Sequence, residues 1–301
     1  MPVLAVAARS SLSQISVKAL QTIEIDELPR WSNWPARLLG LDTFAPPVRT
    51  AAKIEAEYGQ VKYAICLKAW EESGRTLNAT QLRLHHYAQD PATLRAAVYQ
   101  GRLVAAPVSQ IIAWYDALLV DWMAAAIGRA RTVVELGCGF GHILWSLRQR
   151  FAGKQWRGGD YTATAVQLAA GLYAGHSDIS VEPFDFYADR YPVLEKAEGP
   201  VVVLTSQAQE QIPDSRGTLD TLTRYRDKII AGFHIEPAYD LQDTSTLLGQ
   251  MRRRYIEVND YNRNLFGELK RRPEIRVRRM EKDVIGWNPF NALGMVHWEF
   301  V

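Results

Sequence analysis

Hydrophobic and polar positions divide the chain into two parts with different periodicities. Between about residues 15 and 128, apolar residues recur at helical spacing, without the alternation that is typical of half-buried strands. The stretches that carry this pattern are residues 49–63, 67–70, 91–99 and 107–127. We therefore expect a mainly helical N-terminal region over residues 1–110.

From residue 131 onward, short apolar runs alternate with helical patterns. Strands are predicted at residues 132–136, 155–160, 179–184, 201–205, 229–236, 275–280 and 295–301. Helices are predicted at residues 142–151, 163–173, 218–228 and 246–270. Such alternation predicts an α/β domain, over residues 111–301, with a mostly parallel sheet covered on both faces. Ligands of such sheets bind outside the carboxyl ends of the strands.

Composition narrows the class of protein only slightly. A formal net charge of +2 on 301 residues is too small to indicate nucleic acid, and two cysteines indicate a reducing compartment rather than a disulfide framework. The apolar stretch at 111–127 is interrupted by Asp116 and Asp121, which argues against a membrane span. We expect a cytoplasmic protein with neither a membrane nor a nucleic acid as partner.

A glycine-rich segment, Glu135-Leu136-Gly137-Cys138-Gly139-Phe140-Gly141, joins the first predicted strand to a helix. Glycine permits positive φ and lets a ligand approach the backbone. The spacing lacks the third glycine of the dinucleotide fingerprint and the Gly-Lys-Ser/Thr ending of a P-loop. It resembles motif I of the class I S-adenosylmethionine-dependent methyltransferases, although a plain glycine-rich turn is the simpler alternative.

This resemblance implies S-adenosyl-L-methionine as cofactor and S-adenosyl-L-homocysteine as product. The loop would contact the amino-acid end of the cofactor, and Glu135 would help to place its ammonium. Asp160, at the end of the second strand, would accept from the ribose hydroxyls. Asp185 would accept from the adenine amino group beside Phe186, although either aspartate could simply form a turn. The cofactor-binding candidates are Glu135, Gly137, Cys138, Gly139, Gly141, Asp160, Tyr161, Asp185, Phe186 and Thr205.

A metal site is not expected at this loop. Cys138 and His142 are four residues apart, but no other cysteine or histidine cluster completes a set of ligands. Cys138 is interpreted as a small residue of the loop.

The fourth and fifth strands end in polar segments where a methyl acceptor would lie. His234 and Glu236 are two residues apart and so share a face of the fifth strand. A hydroxyl acceptor must lose its proton, so His234 is a candidate base, oriented by Glu236 or Glu210. Alternatively, His234 is structural and Glu236 caps a turn. The candidates for substrate binding are Gln207, Gln211, Tyr255, Asn259 and Asn262.

Asn262 falls within the apolar stripe of the helix predicted at residues 246–270. A buried polar side chain needs a partner, which is either an acceptor molecule or a backbone carbonyl.

Beyond the loop, residues 210–213, 234–237, 253–262 and 288–291 resemble a bacterial group of sugar O-methyltransferases. The resemblance covers about residues 131–301 and implies a Rossmann-like seven-stranded sheet in the order 3-2-1-4-5-7-6, with the last strand antiparallel. The expected activity is in-line methyl transfer to a hydroxyl of a sugar or secondary metabolite. Two alternatives stay open: methylation of a carboxylate or amine on a peptide or small molecule, and a non-catalytic cofactor-binding interaction protein.

Two regions are not explained by these motifs. Residues 251–282 carry 11 Lys/Arg against 5 Asp/Glu, but Arg276 and Arg278 alternate with Val277 as on a half-exposed strand, which favours a solvated face. The N-terminal region is interpreted as a lid over a small-molecule or peptide acceptor, and a homodimer is compatible with the sequence. The aromatic side chains that would line a lid or belong to the core are Trp31, Trp34, Trp70, His85, His86 and Tyr87.

Overall fold

The computed structural model describes residues 21–88 and 90–301, and within them one mixed sheet of ten strands. Apolar runs with few polar interruptions form its central strands, because these are buried on both faces. The strands are β1 (Gln21–Thr22), β2 (Leu94–Tyr99), β3 (Arg102–Pro107), β4 (Thr132–Leu136), β5 (Gln155–Asp160), β6 (Ile179–Pro183), β7 (Val201–Ser206), β8 (Ile229–Pro237), β9 (Ile275–Gly286) and β10 (Leu293–Phe300).

Helices cover both faces of this sheet. They are α1 (Trp34–Leu38), α2 (Ala51–Ile54), α3 (Ala64–Glu72), α4 (Ala79–Tyr87), α5 (Val108–Arg129), α6 (His142–Arg148), α7 (Ala163–Leu172), α8 (Pro192–Glu195), α9 (Arg216–Thr223), α10 (Leu247–Val258) and α11 (Leu265–Arg271). Single 3₁₀ turns occur at Ile25–Arg30, Gln209–Gln211 and Tyr239–Leu241. A π-helical segment, Glu55–Tyr63, joins α2 to α3.

Seven of the strands have the order β6-β5-β4-β7-β8-β10-β9. β4 pairs in parallel with β5 and β7, and β10 pairs antiparallel with β8 and β9. Numbered along these seven strands, the order is 3-2-1-4-5-7-6 with the last strand antiparallel. The predicted Rossmann-like methyltransferase sheet is therefore confirmed.

The helix predicted at residues 91–99 is wrong. These residues enter β2, which forms a hairpin with β3 through Gln100 and Gly101, at φ 49° and 77°. Positive φ at both central positions is the geometry of a tight hairpin turn. A short apolar run fits either a buried strand or a helix, so periodicity could not separate the two. The hairpin and β1 extend the seven-stranded sheet beyond β9.

The single helix predicted at residues 246–270 is also wrong. The structure has two helices, α10 and α11, separated by Asn259–Asn264, with Asp260 at a φ of 53°. Asn262 lies in this break and accepts hydrogen bonds from the backbone N–H groups of Asn264 and Leu265. Local side-chain acceptors of this kind compete with helical hydrogen bonds, which explains the interruption.

The N-terminal region shares a core with the rest of the chain. Leu82 of α4 and Trp70 of α3 belong to the same buried cluster as Tyr115 of α5 and Leu144 of α6. By length and composition α5 could cross a membrane, and half of its most apolar window is buried inside the protein. The division of the chain near residue 110 stays a prediction.

Candidate functional site

The glycine loop follows β4 and adopts a conformation that only glycine takes readily. Gly137, Gly139 and Gly141 have φ values of 73°, 56° and 76°, all in the left-handed region. A Cβ on Gly137 would lie 2.4 Å from the Cβ of Ala208, and one on Gly139 would lie 2.6 Å from the Tyr63 hydroxyl. The loop is therefore held close to two neighbouring segments and has no space for larger residues.

Asp160, at the end of β5, is tied to this loop. Its Oδ2 accepts from the Gly139 N–H at 2.6 Å, while Oδ1 accepts from the backbone N–H and the hydroxyl of Thr162 at 2.9 and 2.7 Å. Burial raises the pKa of the Asp160 carboxyl. Since Oδ1 already accepts two hydrogen bonds and Oδ2 only one, Oδ2 keeps a lone pair for a ligand.

A cavity lies between the carboxyl ends of the strands and the N-terminal region. Seven of the predicted site residues line it, namely Gly137, Asp160, Tyr161, Asp185, Phe186, Gln207 and Gln211. Thr162, Phe184, Tyr187, Ala208 and Ile212 complete the wall on the sheet side. Asp185 is exposed, and its Oδ1 accepts from the Tyr187 N–H at 2.8 Å. The structure therefore brings together residues that follow β4, β5, β6 and β7.

The opposite wall was missed by sequence reasoning. It consists of Ala51, Ile54, Tyr58 and Tyr63, from α2 and the π-helical segment, and we call residues 51–63 the covering segment. Its helical spacing was visible in the sequence, but nothing local shows which element it packs against. A π-helical turn inside a helix is frequent at functional sites, but it has no reliable sequence signal.

Arg49 fixes the start of the covering segment to the C-terminal part of the chain. Its Nε donates to the backbone oxygen of Asn259 at 2.9 Å, and its backbone N–H donates to Asp260 at 3.1 Å. Nη1 pairs with Glu57 at 2.8 Å, and Glu57 pairs with Lys62 at 2.8 Å. Asn259 thus contributes a structural contact here, and its own side chain donates to the Tyr255 carbonyl.

Four other predicted cofactor residues, Glu135, Cys138, Gly139 and Gly141, do not line the cavity. Glu135 is 1% exposed, and burial raises its pKa well above the usual range. Cys138 turns its sulfur into the core, so that a Cβ on Gly158 would lie 2.4 Å from Sγ. A Cβ on Gly141 would lie 3.2 Å from the ring of Tyr173.

The base role predicted for His234 is not supported by the structure. His234 is completely buried and does not line the cavity. Its Nδ1 lies 2.8 Å from the Thr205 hydroxyl, and burial lowers its pKa to about 3. A base with this pKa is too weak near neutral pH, so in this arrangement His234 acts as a structural partner of Thr205.

Glu236 organises the segment after β7. Its Oε1 accepts from the Thr205 hydroxyl at 2.8 Å and from the N–H groups of Ala208 and Gln209 at 3.2 and 3.1 Å. Its Oε2 accepts from the Glu210 N–H at 3.1 Å. The carboxyl therefore fixes the 3₁₀ turn that carries Glu210 and Gln211, which is the capping alternative considered for Glu236.

Glu210 does not line the cavity either, but it differs from His234 in its pKa and in its contact with a residue that does. It is 4% exposed, its Oε1 accepts from Gln211 Nε2 at 2.9 Å, and its Oε2 accepts from Asn291 Nδ2 at 3.3 Å. Gln211 Nε2 also donates to the Tyr58 hydroxyl at 3.0 Å, which links this carboxyl to the covering segment. Burial raises the pKa of Glu210 to about 7, so a proton can be exchanged there near neutral pH.

Of the remaining substrate-binding candidates, Gln207 lines the cavity, whereas Tyr255 and Asn262 do not. Gln207 lines the cavity and has a φ of 54°. Tyr255 instead packs edge-on against Trp34 with ring centroids 4.5 Å apart. Asn262 donates to the Ile212 carbonyl at 2.5 Å and to the Ser215 hydroxyl at 2.7 Å, so its partners are within the chain. Strain at a non-glycine residue such as Gln207 is typical of functional sites.

The aromatic side chains considered for a lid do not line the cavity. Trp70 lies against Gly171 of α7, and Tyr87 stacks on Trp287 with ring centroids 4.0 Å apart. The covering segment occupies the position that was expected of them.

Comparison with known proteins adds a likeness at the level of the fold. No family model and no curated protein matches the sequence. Solved structures that resemble the chain include geranyl diphosphate C-methyltransferase from Streptomyces coelicolor A3(2), in complex with S-adenosyl-L-homocysteine, at 11% identity and a TM-score of 0.47, covering 64% of this chain and 84% of that one. Another is magnesium protoporphyrin IX methyltransferase from Synechocystis PCC 6803, at 13% identity and a TM-score of 0.45, covering 64% and 87%. At sequence identities of 11% and 13%, the likeness concerns the fold alone.

Proposed function

We propose that this chain is an S-adenosyl-L-methionine-dependent methyltransferase. The observation that carries the proposal is the single cavity in which Gly137, Asp160 and Asp185 meet the polar residues after β7. A left-handed glycine loop beside a carboxylate is suited to a ligand with a ribose. A glycine-rich turn without a ligand would not require the hydrogen bond from the Gly139 N–H to the buried Asp160 carboxylate.

The residues present fit the parts of this cofactor. Asp160 Oδ2 has a free lone pair for a ribose hydroxyl. Asp185 and Phe186 offer an acceptor and an aromatic ring for the adenine, and the missing side chain of Gly137 leaves the backbone open to approach. When bound, the cofactor supplies an electrophilic methyl group on a sulfonium.

Glu210 is the residue that we assign to proton removal from the acceptor. Its carboxyl accepts from Gln211 Nε2, which also donates to the Tyr58 hydroxyl, and both Gln211 and Tyr58 line the cavity. With a pKa of about 7, it is ionised in a useful fraction of molecules at neutral pH. An acceptor that needs such a base is a hydroxyl, which supports O-methylation of a sugar or secondary metabolite. We further propose that the protein acts in the cytoplasm, without nucleic acid or membrane as partner.

Calorimetry with S-adenosyl-L-methionine tests the cofactor assignment. We expect binding by the wild type and a loss of affinity of about 100-fold in Asp160→Ala, because hydrogen bonds to a carboxylate are lost. Asp227→Ala, the same change at an exposed position, is the matched control and should bind like the wild type. No binding by the wild type, or equal binding by Asp160→Ala, would overturn the proposal.

The acceptor is identified by incubation of a metabolite library with labelled cofactor, followed by mass spectrometry. We expect methyl ethers as products, and their yield should fall sharply in Glu210→Gln. Methyl esters or methylamines would instead indicate a carboxylate or amine acceptor. Cofactor binding without any methylated product would favour a non-catalytic binding protein.

A further inference from the structure

One part of the cavity wall carries no charged side chain among the residues that the structure describes. It is formed by the covering segment and the turn after β7, which together we call the acceptor wall. The side chains that it presents to the cavity are four aliphatic, two phenolic and two amide groups, namely Ala51, Ile54, Ala208, Ile212, Tyr58, Tyr63, Gln207 and Gln211. A ligand that contacts this wall therefore has to bury mainly apolar surface.

The cations beside the acceptor wall are already paired. Burial raises the pKa of Glu210, and the charges of Lys62 and Arg49 oppose this effect. Each of these two cations forms an ion pair with Glu57 at 2.8 Å, and neither lines the cavity. A carboxylate or phosphate on the acceptor would be buried there without a partner, which costs far more than the burial of a neutral group. The acceptor wall therefore fits an uncharged molecule.

The polar groups of the acceptor wall can satisfy few hydroxyls. Gln211 Nε2 already donates to the Tyr58 hydroxyl at 3.0 Å and to Glu210 at 2.9 Å. Gln211 Oε1 is buried and makes no hydrogen bond within residues 21–88 and 90–301. A sugar ring presents several hydroxyls, and each of them costs affinity when it is buried without a partner. One unpaired oxygen on an apolar wall favours a ligand with a single hydroxyl.

Two tyrosine rings of the acceptor wall line the cavity together. The ring centroids of Tyr58 and Tyr63 lie 6.1 Å apart, and the ring planes are inclined by 45°. Aromatic rings prefer tilted or offset contacts with centroids about 4.5–7 Å apart. A planar aromatic ligand would therefore find the type of contact that such rings favour, with Ile54 and Ile212 as further apolar surface.

The base assigned to the reaction leads to the same class of acceptor. The pKa of a phenol is about 10, whereas that of an aliphatic hydroxyl is close to the value for water, about 15.7. Burial raises the pKa of Glu210 to about 7. Proton transfer to this carboxyl is then unfavourable by about a thousandfold for a phenol and by about 10⁹-fold for an aliphatic hydroxyl. Glu210 is therefore matched to a phenol.

We propose that the methyl acceptor is an uncharged phenol, bound with its ring against the apolar part of the acceptor wall and its hydroxyl next to Gln211. The phenol oxygen forms a bond to the methyl carbon, the bond from that carbon to sulfur breaks with its electron pair on sulfur, and the phenolic proton passes to Glu210. This inference rests on the proposed function and narrows its acceptor to one chemical class.

Binding without turnover is the first test. Calorimetry on the protein saturated with S-adenosyl-L-homocysteine compares 4-methylphenol with trans-4-methylcyclohexanol, a saturated ring of similar size, and with methyl β-D-glucopyranoside, a sugar. We expect 4-methylphenol to bind at least about tenfold more tightly than either of the other two. Equal or tighter binding of the glucoside, or no binding of 4-methylphenol, would overturn the inference. If the wild type does not bind S-adenosyl-L-homocysteine, the proposed function itself fails.

A change of charge on the acceptor wall tests where the phenol lies. The measured quantity is the ratio of the affinities for 4-methylphenol and 4-hydroxybenzoate, which carries a carboxylate in place of the methyl group. The wild type should favour 4-methylphenol by at least about 30-fold, and Ile54→Lys should shift this ratio at least about tenfold towards 4-hydroxybenzoate. Ile65→Lys is the matched control, since Ile65 is 53% exposed and does not line the cavity. No shift in Ile54→Lys, or an equal shift in both variants, would overturn this placement.

Products made with labelled cofactor complete the test. We expect the aryl methyl ether from 4-methylphenol, and its rate of formation should fall by about 100-fold in Glu210→Gln. If the wild type methylates only sugars or other aliphatic alcohols, the inference is overturned and the proposed function stands.

Discussion

The two walls of the cavity are built in different ways. The donor wall consists of residues 135–186, in which each functional side chain follows directly after one of three parallel strands. The acceptor wall combines the covering segment with the turn after β7, whose Glu210 is bonded to Asn291, so it draws on distant parts of the sequence. The donor wall depends on local backbone geometry, and the acceptor wall depends on long-range hydrogen bonds that meet at Glu210 and Glu236. Removing the contacts of one wall should therefore impair that wall and leave the other wall intact.

The largest effect is expected from Glu236→Ala, which removes the carboxyl that holds the acceptor wall. Four donors, one hydroxyl and three backbone N–H groups, lose their acceptor in a buried site. We expect a loss of about 4 kcal/mol in the free energy of unfolding, measured with denaturant. Glu236→Gln keeps one acceptor oxygen and should lose about half as much. Equal stability of Glu236→Ala and the wild type would show that Glu236 does not stabilise the turn after β7.

A second prediction is that Glu210→Gln slows catalysis without changing the affinity for the cofactor. Glu210→Gln keeps the shape and removes the base, so kcat should fall by about 100-fold while cofactor affinity stays within twofold. In the wild type the pKa of Glu210 is raised to about 7, so kcat should rise with pH through this value as the carboxyl ionises. The variant should lack that limb of the pH profile. An unchanged profile would remove Glu210 from the reaction.

The donor wall is tested by a pair of glycine substitutions. Gly137 and Gly153 have φ values of 73° and 72°, but a Cβ would meet Ala208 at 2.4 Å only at Gly137, and nothing within 4 Å at Gly153. Both alanine variants should lose about 1–2 kcal/mol to backbone strain. Gly137→Ala should lose about 1 kcal/mol more to overpacking and should also bind the cofactor at least about tenfold more weakly. Equal behaviour of the pair would show that the loop is not tightly packed.

The smallest effect is expected at His234. Because its ring is completely buried and away from the cavity, His234→Asn should change kcat by less than about threefold and leave the midpoint of the pH profile in place. Steady-state kinetics across pH 5–9 provide the measurement. A large loss of kcat together with a shifted midpoint would restore His234 as the base.

The same contrast explains what the sequence could predict. The glycine loop, Asp160 and Asp185 were recognisable because each follows an apolar strand, and position at a strand end fixes where a residue lies. The base role of His234 stays a prediction, and its position away from the cavity could not be foreseen for a related reason. Alternation places His234 and Glu236 on one face of β8, but it does not say whether that face meets the cavity or the core.

The covering segment could not be predicted locally. Its position depends on its packing against α7, about a hundred positions further along the chain. Similarly, residues 91–99 are apolar enough for a helix or a strand, and only pairing with β3 and β9 decides the outcome.

The basic stretch at residues 275–282 lies on a strand edge that the extended sheet leaves unpaired in the described residues. β2 pairs with β9 only at Ile285 and Gly286, so residues 275–282 of β9 have a single neighbouring strand, β10, in the described sheet. The outer positions there carry the exposed side chains of Arg276, Arg278, Arg279 and Lys282. Unpaired edges invite strand addition by another chain, and charged side chains are a common protection against it. Two copies meeting edge to edge would have to desolvate these charged side chains, including the ion pairs of Arg278 with Glu299 and of Arg279 with Glu281, and this cost disfavours further growth of the sheet.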